Sequence, residues 1–192
     1  MARDRASRPE AKPLRLFVAF EVPEDVRASL AGAVAPVRER YPKARWVPTQ
    51  NQHVTVKFLG ATYPRLVEWV TETAARVAGD HPSFATRVEG LGAFPSARRA
   101  RVLWAGLDDG GQRLERLAAS LDEALGREFR PEKRAFTPHL TVARFDPPVG
   151  LEPADVSYES EPFEIDRIVL FRSHLRRPAP IYEPLATFAL GG

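Results

Sequence analysis

Apolar positions along the chain change spacing several times, and each change predicts an element. Residues 14–22, LRLFVAFEV, are almost continuously apolar and partly β-branched, and the run stops at Pro23. That reads as a buried strand. From 24 to 41 the period lengthens: Val26, Leu30, Val34, Val37 and Tyr41 recur at three or four residues, the stripe of an amphipathic helix. Glu24 and Asp25 in its first turn and Arg38 and Arg40 in its last complement the helix dipole, and Pro42 is expected to stop it.

Further on, HVTVKFLG (53–60) predicts a strand, and Val67, Val70, Ala74 and Val77 predict a helix ended by Gly79. Two strands follow, at 83–94 and 100–107, joined by a turn with Pro95 and Ser96. A third helix should begin near the turn at 108–111 and bury Leu114, Leu117, Ala118, Leu121 and Leu125, with Gly126 as its cap. PHLTVARF (138–145) reads as another strand. A proline-rich loop (146–153) and strands near 162–172 and 181–190 complete the chain. Strands and helices are interspersed without strict βαβ alternation, so the pattern predicts an α+β fold rather than a doubly wound parallel sheet.

Composition narrows this only a little. The 192 residues are 44% hydrophobic and 28% charged, an ordinary globular balance. The formal net charge of +3 permits an anionic partner without requiring one. With no cysteine, disulfides, thiolate metal sites and a thiol nucleophile are excluded. The basic opening MARDRASRPEAKP is followed by no apolar segment of signal-peptide length, and no stretch approaches the ~18 apolar residues of a membrane span. A soluble protein is expected, with a flexible basic tail at 1–13 and a single domain over 14–192.

The candidate chemistry lies in a repeat. His53-Val54-Thr55-Val56 and His139-Leu140-Thr141-Val142 share the form His-apolar-Thr-Val, one in each half of the chain, and they use two of only four histidines. Strand side chains alternate between faces, so His53 and Thr55 share a face, as do His139 and Thr141. On the same alternation Lys57 follows Thr55 along the polar face, while Val54, Val56 and Phe58 point into the core. His81 and His174 read as ordinary loop histidines.

Two imidazoles and two hydroxyls fit few reactions. Zinc asks for three or four ligands, and neither an HExxH helix nor a further histidine cluster occurs. A serine nucleophile lacks its GxSxG elbow. Paired histidines suit an in-line displacement at phosphorus, one removing a proton from the attacking group and the other protonating the departing oxygen. Imidazole reaches either state near neutrality. Threonine hydroxyls can hydrogen-bond the non-bridging oxygens as charge builds. Residue types alone do not choose among phosphodiester substrates.

At these residues the sequence resembles the 2H phosphoesterase superfamily, which is named for paired His-x-Thr/Ser motifs, and within it the RNA 2',3'-cyclic phosphodiesterase (2'-5' RNA ligase) family. LRLFVAFEVPEDVR (14–27), ARWVPTQNQHVTVKFLG (44–60), GAFPSARRARVLWAGL (92–107) and EKRAFTPHLTVARF (132–145) carry the likeness in order and spacing. Valine stands after each threonine where leucine is more usual, a conservative change on the buried face.

The resemblance implies a bilobal α+β fold, two pseudo-two-fold-related lobes of antiparallel strands with outer helices around a central cleft. It implies hydrolysis of RNA 2',3'-cyclic phosphate ends to 2'-phosphates, without metal or other cofactor. His53 would protonate the leaving oxygen, His139 would activate water, and Thr55 and Thr141 would hold phosphate oxygens. Reverse 2'-5' ligation follows in principle from microscopic reversibility. Expected partners are RNAs with 2',3'-cyclic ends, tRNA fragments among them, and no membrane; a cytoplasmic monomer is expected.

The alternative substrate is a small cyclic phosphate of a nucleotide or ADP-ribose. Arg144 and Lys57 are further candidate substrate contacts, although Arg144 should face away from His139 unless its strand bulges. Arg134 and Phe136 precede the second motif and are candidates to approach substrate. Trp46 and Trp104 read as packing residues.

Overall fold

The apolar run at Leu14–Glu21 (β1) has no polar alternation because both of its faces are covered. Leu16, Val18 and Phe20 join the main core, while Phe17 and Ala19 form a smaller cluster with Val169 and Phe171. The computed structural model describes residues 12–108, 112–152 and 157–191. Of the tail expected at 1–13, residues 1–11 lie outside the described residues, as do 109–111 in the turn expected before the third helix.

The helix expected over 24–41 is in fact two, Glu24–Ala33 (α1) and Ala35–Arg40 (α2). Pro36 is the physical reason. It has no N–H to donate to the Gly32 carbonyl, and its ring crowds that carbonyl. The buried stripe survives the break, since Val26, Leu30, Val34 and Val37 all remain in the core.

The remaining elements are Arg45–Trp46 (β2), His53–Thr62 (β3), Val67–Gly79 (α3), Phe84–Phe94 (β4), Ala100–Asp108 (β5), Arg113–Leu125 (α4), His139–Val149 (β6), Phe163–Ile165 (β7), Arg167–His174 (β8) and Ile181–Ala189 (β9). The predicted faces of the later helices hold: α4 buries its four leucines and Ala118, and α3 buries Val70, Ala74 and Val77.

Two expectations are corrected. The proline-rich segment does not leave the sheet at 146, because β6 continues through Pro147 and Pro148 to Val149. Its pairing with β2 reaches only Arg144, and its register with β5 shifts there, so the prolines stand at a bulged edge where a missing N–H is tolerated. The strand expected near 162–172 is two, separated at Asp166, with β7 pairing β4 and β8 pairing β1.

The sheet runs β7-β4-β5-β6-β3-β1-β8-β9, with β2 added beside β6, and every pairing between these strands is antiparallel. Counted outward from the centre, β3 corresponds to β6, β1 to β5, β8 to β4 and β9 to β7. This is the pseudo-two-fold arrangement, and the fold is α+β. The two motif strands are the central pair.

Candidate active site

β3 and β6 meet where Val54 pairs with Leu140, both fully buried. Extending that antiparallel register one residue each way sets His53 across from Thr141 and Thr55 across from His139. All four side chains line one cleft of about 1300 Å3, so the structure brings together the four residues that the repeat singled out. His81 and His174 are not among its lining. The former meets the Ser120 hydroxyl at 3.0 Å, and the latter meets Glu183 at 2.7 Å.

Both imidazoles are fixed in the same way. His53 Nδ1 lies 2.8 Å from the Asn51 carbonyl, and His139 Nδ1 lies 2.7 Å from the Thr137 carbonyl, in each case two residues upstream. A carbonyl only accepts, so each Nδ1 carries the proton and donates it. Nε2 is left to take or give a proton within the cleft. Aromatic walls set the ring planes: Phe17 stacks on His53 at 4.8 Å and Tyr182 meets it edge-on at 4.9 Å, while Phe94 meets His139 edge-on at 5.4 Å. Burial lowers the His53 pKa, because desolvation penalises the imidazolium, and the Asn51 carbonyl offsets part of this.

Past each threonine the alternation breaks, in the same place in both copies. Against β1, Val18 pairs with Lys57 but Ala19 pairs with Thr55, leaving Val56 as an extra residue. Against β5, Leu103 pairs with Ala143 but Trp104 pairs with Thr141, leaving Val142 as the extra residue. A bulge reverses the facing of everything beyond it.

Three expectations turn on these bulges. Lys57 is not on the polar face: it is 1% exposed, ion-paired to Asp122 on α4, and its ammonium donates to the Arg130 carbonyl at 3.1 Å. It braces the fold and does not line the cleft. Phe58, expected in the core, is 41% exposed and lines the cleft instead. Arg144, at the equivalent position of the second copy, also lines the cleft, which meets the condition its alternation set.

Other expectations divide. Trp46 packs against the core, as expected, but also lines the cleft, whereas Trp104 stacks on Phe94 at 5.1 Å. Phe136 packs against the core, and the exposed Arg134 is not part of the lining.

Several lining residues were not singled out from the sequence. Arg15 shares a face of β1 with Phe17, so strand alternation carried a signal for it, and its guanidinium lies 4.6 Å over the Phe58 ring. Arg45, Asn51 and Tyr182 carried no such signal. Burial raises the Tyr182 pKa, while the positive charges of Arg144 and Arg15 oppose the rise, which places both guanidiniums within electrostatic reach of its hydroxyl beside His53. Among the described residues no group of three or more His, Asp or Glu is placed to hold a metal ion. No helix of the described residues is long and apolar enough to cross a membrane.

The family model described as the 2'-5' RNA ligase superfamily matches residues 23–177. Among curated relatives, the RNA 2',3'-cyclic phosphodiesterase of Thermus thermophilus is 34% identical over 93% of this chain and 91% of its own length. That of Archaeoglobus fulgidus is 34% identical over 91% and 99%. Among solved structures, TT0787 of Thermus thermophilus superposes with a TM-score of 0.83 at 28% identity, covering 93% of this chain and 99% of that one. E. coli LigT complexed with NADP+ gives 0.75 at 26% identity, covering 95% and 100%.

Proposed function

Because the chain belongs to the 2'-5' RNA ligase superfamily, we propose that it is an RNA 2',3'-cyclic phosphodiesterase that opens the cyclic phosphate to leave a 2'-phosphate. The observation that carries this reading is the facing of two imidazole–hydroxyl pairs across one cleft.

In this reading water attacks phosphorus as His139 Nε2 removes its proton, and the bond from phosphorus to the 3' oxygen breaks as His53 Nε2 protonates that oxygen. Thr55 and Thr141 donate hydrogen bonds to the non-bridging oxygens, and Arg144 neutralises the charge that builds on them. Desolvation disfavours the imidazolium of His53, and the phosphate anion of a substrate would supply the opposite charge that favours it. With a 5'-hydroxyl in place of water, His139 Nε2 would take that hydroxyl's proton as it attacks phosphorus and His53 Nε2 would protonate the departing 3' oxygen, which leaves a 2'-5' linkage. These residues supply the proton transfers and charge stabilisation themselves, so turnover is expected to survive chelators.

The direct test is incubation with an oligonucleotide ending in a 2',3'-cyclic phosphate, followed by identifying which hydroxyl retains the phosphate. A 3'-phosphate, or an untouched ring, refutes the proposal.

A further inference from the structure

Hydrolysis of a cyclic end involves one phosphate with a single negative charge, yet the cleft holds far more positive charge than that requires. Arg15, Arg45, Arg144, Arg176 and Arg177 all line it, and among the described residues no aspartate or glutamate does. Among the described residues none of the five lies within ion-pairing distance of a carboxylate. The neighbouring Arg172 does have a carboxylate partner, Glu183 at 3.8 Å. Uncompensated guanidiniums in a concave site repel one another and focus a positive field, an arrangement that suits a polyanion.

The five are not in one place. Arg15 lies two residues before Phe17, which stacks on His53, and Arg144 lies three residues beyond Thr141 on the second motif strand, so both belong to the terminal-phosphate end. Arg176 and Arg177 stand on the exposed turn at 175–180 between β8 and β9, next to Leu175, which is 75% exposed. That turn is tied down: the Asn51 side-chain amide donates to the Pro180 carbonyl at 2.8 Å, while the Asn51 carbonyl holds His53 Nδ1. One residue thus fixes the arginine turn relative to the reacting imidazole. The cleft volume, about 1300 Å3, exceeds the ~300–1,000 Å3 typical of sites for one small ligand. Phe58, capped by Arg15, adds an exposed ring on which a base can stack.

We propose that Arg176 and Arg177 form a second anion subsite that takes the phosphodiester on the 5' side of the terminal nucleotide, so that the cleft selects oligonucleotides over single cyclic nucleotides. The assignment of that phosphate rests on the hydrolytic reading of the two histidines, which sets where the chain ends.

The test is binding, which requires no turnover, with a tetranucleotide and a mononucleotide that each carry a 2'-phosphate. Wild type should bind the tetranucleotide more tightly. Arg176→Ala with Arg177→Ala should weaken tetranucleotide binding about tenfold in ~0.1 M salt and flatten its log K against log salt slope by about 0.7, the value for one phosphate neutralised on a single strand. Mononucleotide binding should not change. Both side chains are exposed, and an unchanged melting temperature will show that the turn does not support the fold. Equal losses for both ligands, no loss for either, or wild type binding both ligands alike would overturn the subsite. Parallel turnover of the two cyclic-ended substrates separates the readings. If wild type hydrolyses neither, the hydrolytic reading fails while the binding comparison still decides the subsite; if it hydrolyses both and the binding difference is missing, the subsite alone fails.

Discussion

Val54 pairs with Leu140 at the centre of the sheet, and that contact brings two His-x-Thr strands from opposite halves of the chain into one cleft. The residues flanking the pair point the other way, so each imidazole sits across from the other strand's hydroxyl. Antiparallel pairing of two like strands generates this diagonal arrangement, and in the proposed reaction a phosphorus at its centre would be flanked by a proton acceptor and a proton donor.

His53→Ala and His139→Ala should each lower turnover of a 2',3'-cyclic-ended oligonucleotide by roughly 100- to 10,000-fold, the usual contribution of a positioned acid or base. The two should differ on a phosphodiester whose leaving group is a nitrophenolate, which departs without a proton. His53→Ala then regains most of its rate and His139→Ala does not. The opposite pattern exchanges the two roles.

Thr55→Val and Thr141→Val keep the side-chain shape and remove the hydroxyl. Each is expected to reduce kcat about 100-fold with little change in KM, as for other lost donors to a developing oxyanion. Steady-state kinetics measures it, and a change confined to KM would mean that the hydroxyl binds the ground state as strongly as the transition state.

Folding stability should respond to His53 as pH falls. Its folded pKa lies below the ~6.5 of a free imidazole, so the unfolded chain binds the proton more readily. Its contribution is fully present above about pH 6.5 and is lost as pH drops from there through the lowered folded value. Denaturant titrations of wild type and His53→Gln should therefore converge or cross toward acid. Parallel stability curves would show that burial of this ring carries no protonation cost.

Lys57→Ala leaves Asp122 without its partner in a site where the lysine is 1% and the aspartate 22% exposed. Breaking a buried pair costs about 3–5 kcal/mol, and partial exposure of Asp122 puts this case toward the lower end. Replacing both, Lys57→Met with Asp122→Leu, should restore much of the loss. In the folded fraction KM should be unchanged; a large rise in KM would return Lys57 to the substrate side.

Asn51→Ala keeps the carbonyl that holds His53 but releases Pro180. One hydrogen bond of about 1 kcal/mol corresponds to roughly a fivefold rise in KM for an oligonucleotide, with kcat little affected. Kinetics on oligonucleotide and mononucleotide substrates would reveal it, and a matching fall in kcat would mean that the His53 ring had also moved.

The sequence alone determined the elements whose signal is local. β1 was legible as an unbroken apolar run stopped by Pro23, α3 and α4 because burial of one face imposes a helical period, and the four motif side chains because strand alternation holds from His53 to Thr55 and from His139 to Thr141. Pro36 was also present in the sequence, but its effect was hidden beneath an apolar stripe that continues across the break.

Tertiary structure decided what lies past each threonine. Whether a strand bulges depends on the registers of its neighbours, β1 for the first copy and β5 for the second, and those registers are set by residues far away in the chain. One extra residue at Val56 sent Lys57 inward and Phe58 outward, and its counterpart at Val142 turned Arg144 into the cleft. The turn bearing Arg176 and Arg177 became part of the site only because β8 and β9 fold back beside β1 and Asn51 fastens the turn there. Periodicity records which face a residue prefers; the distant partners that a strand acquires on folding settle where that face points.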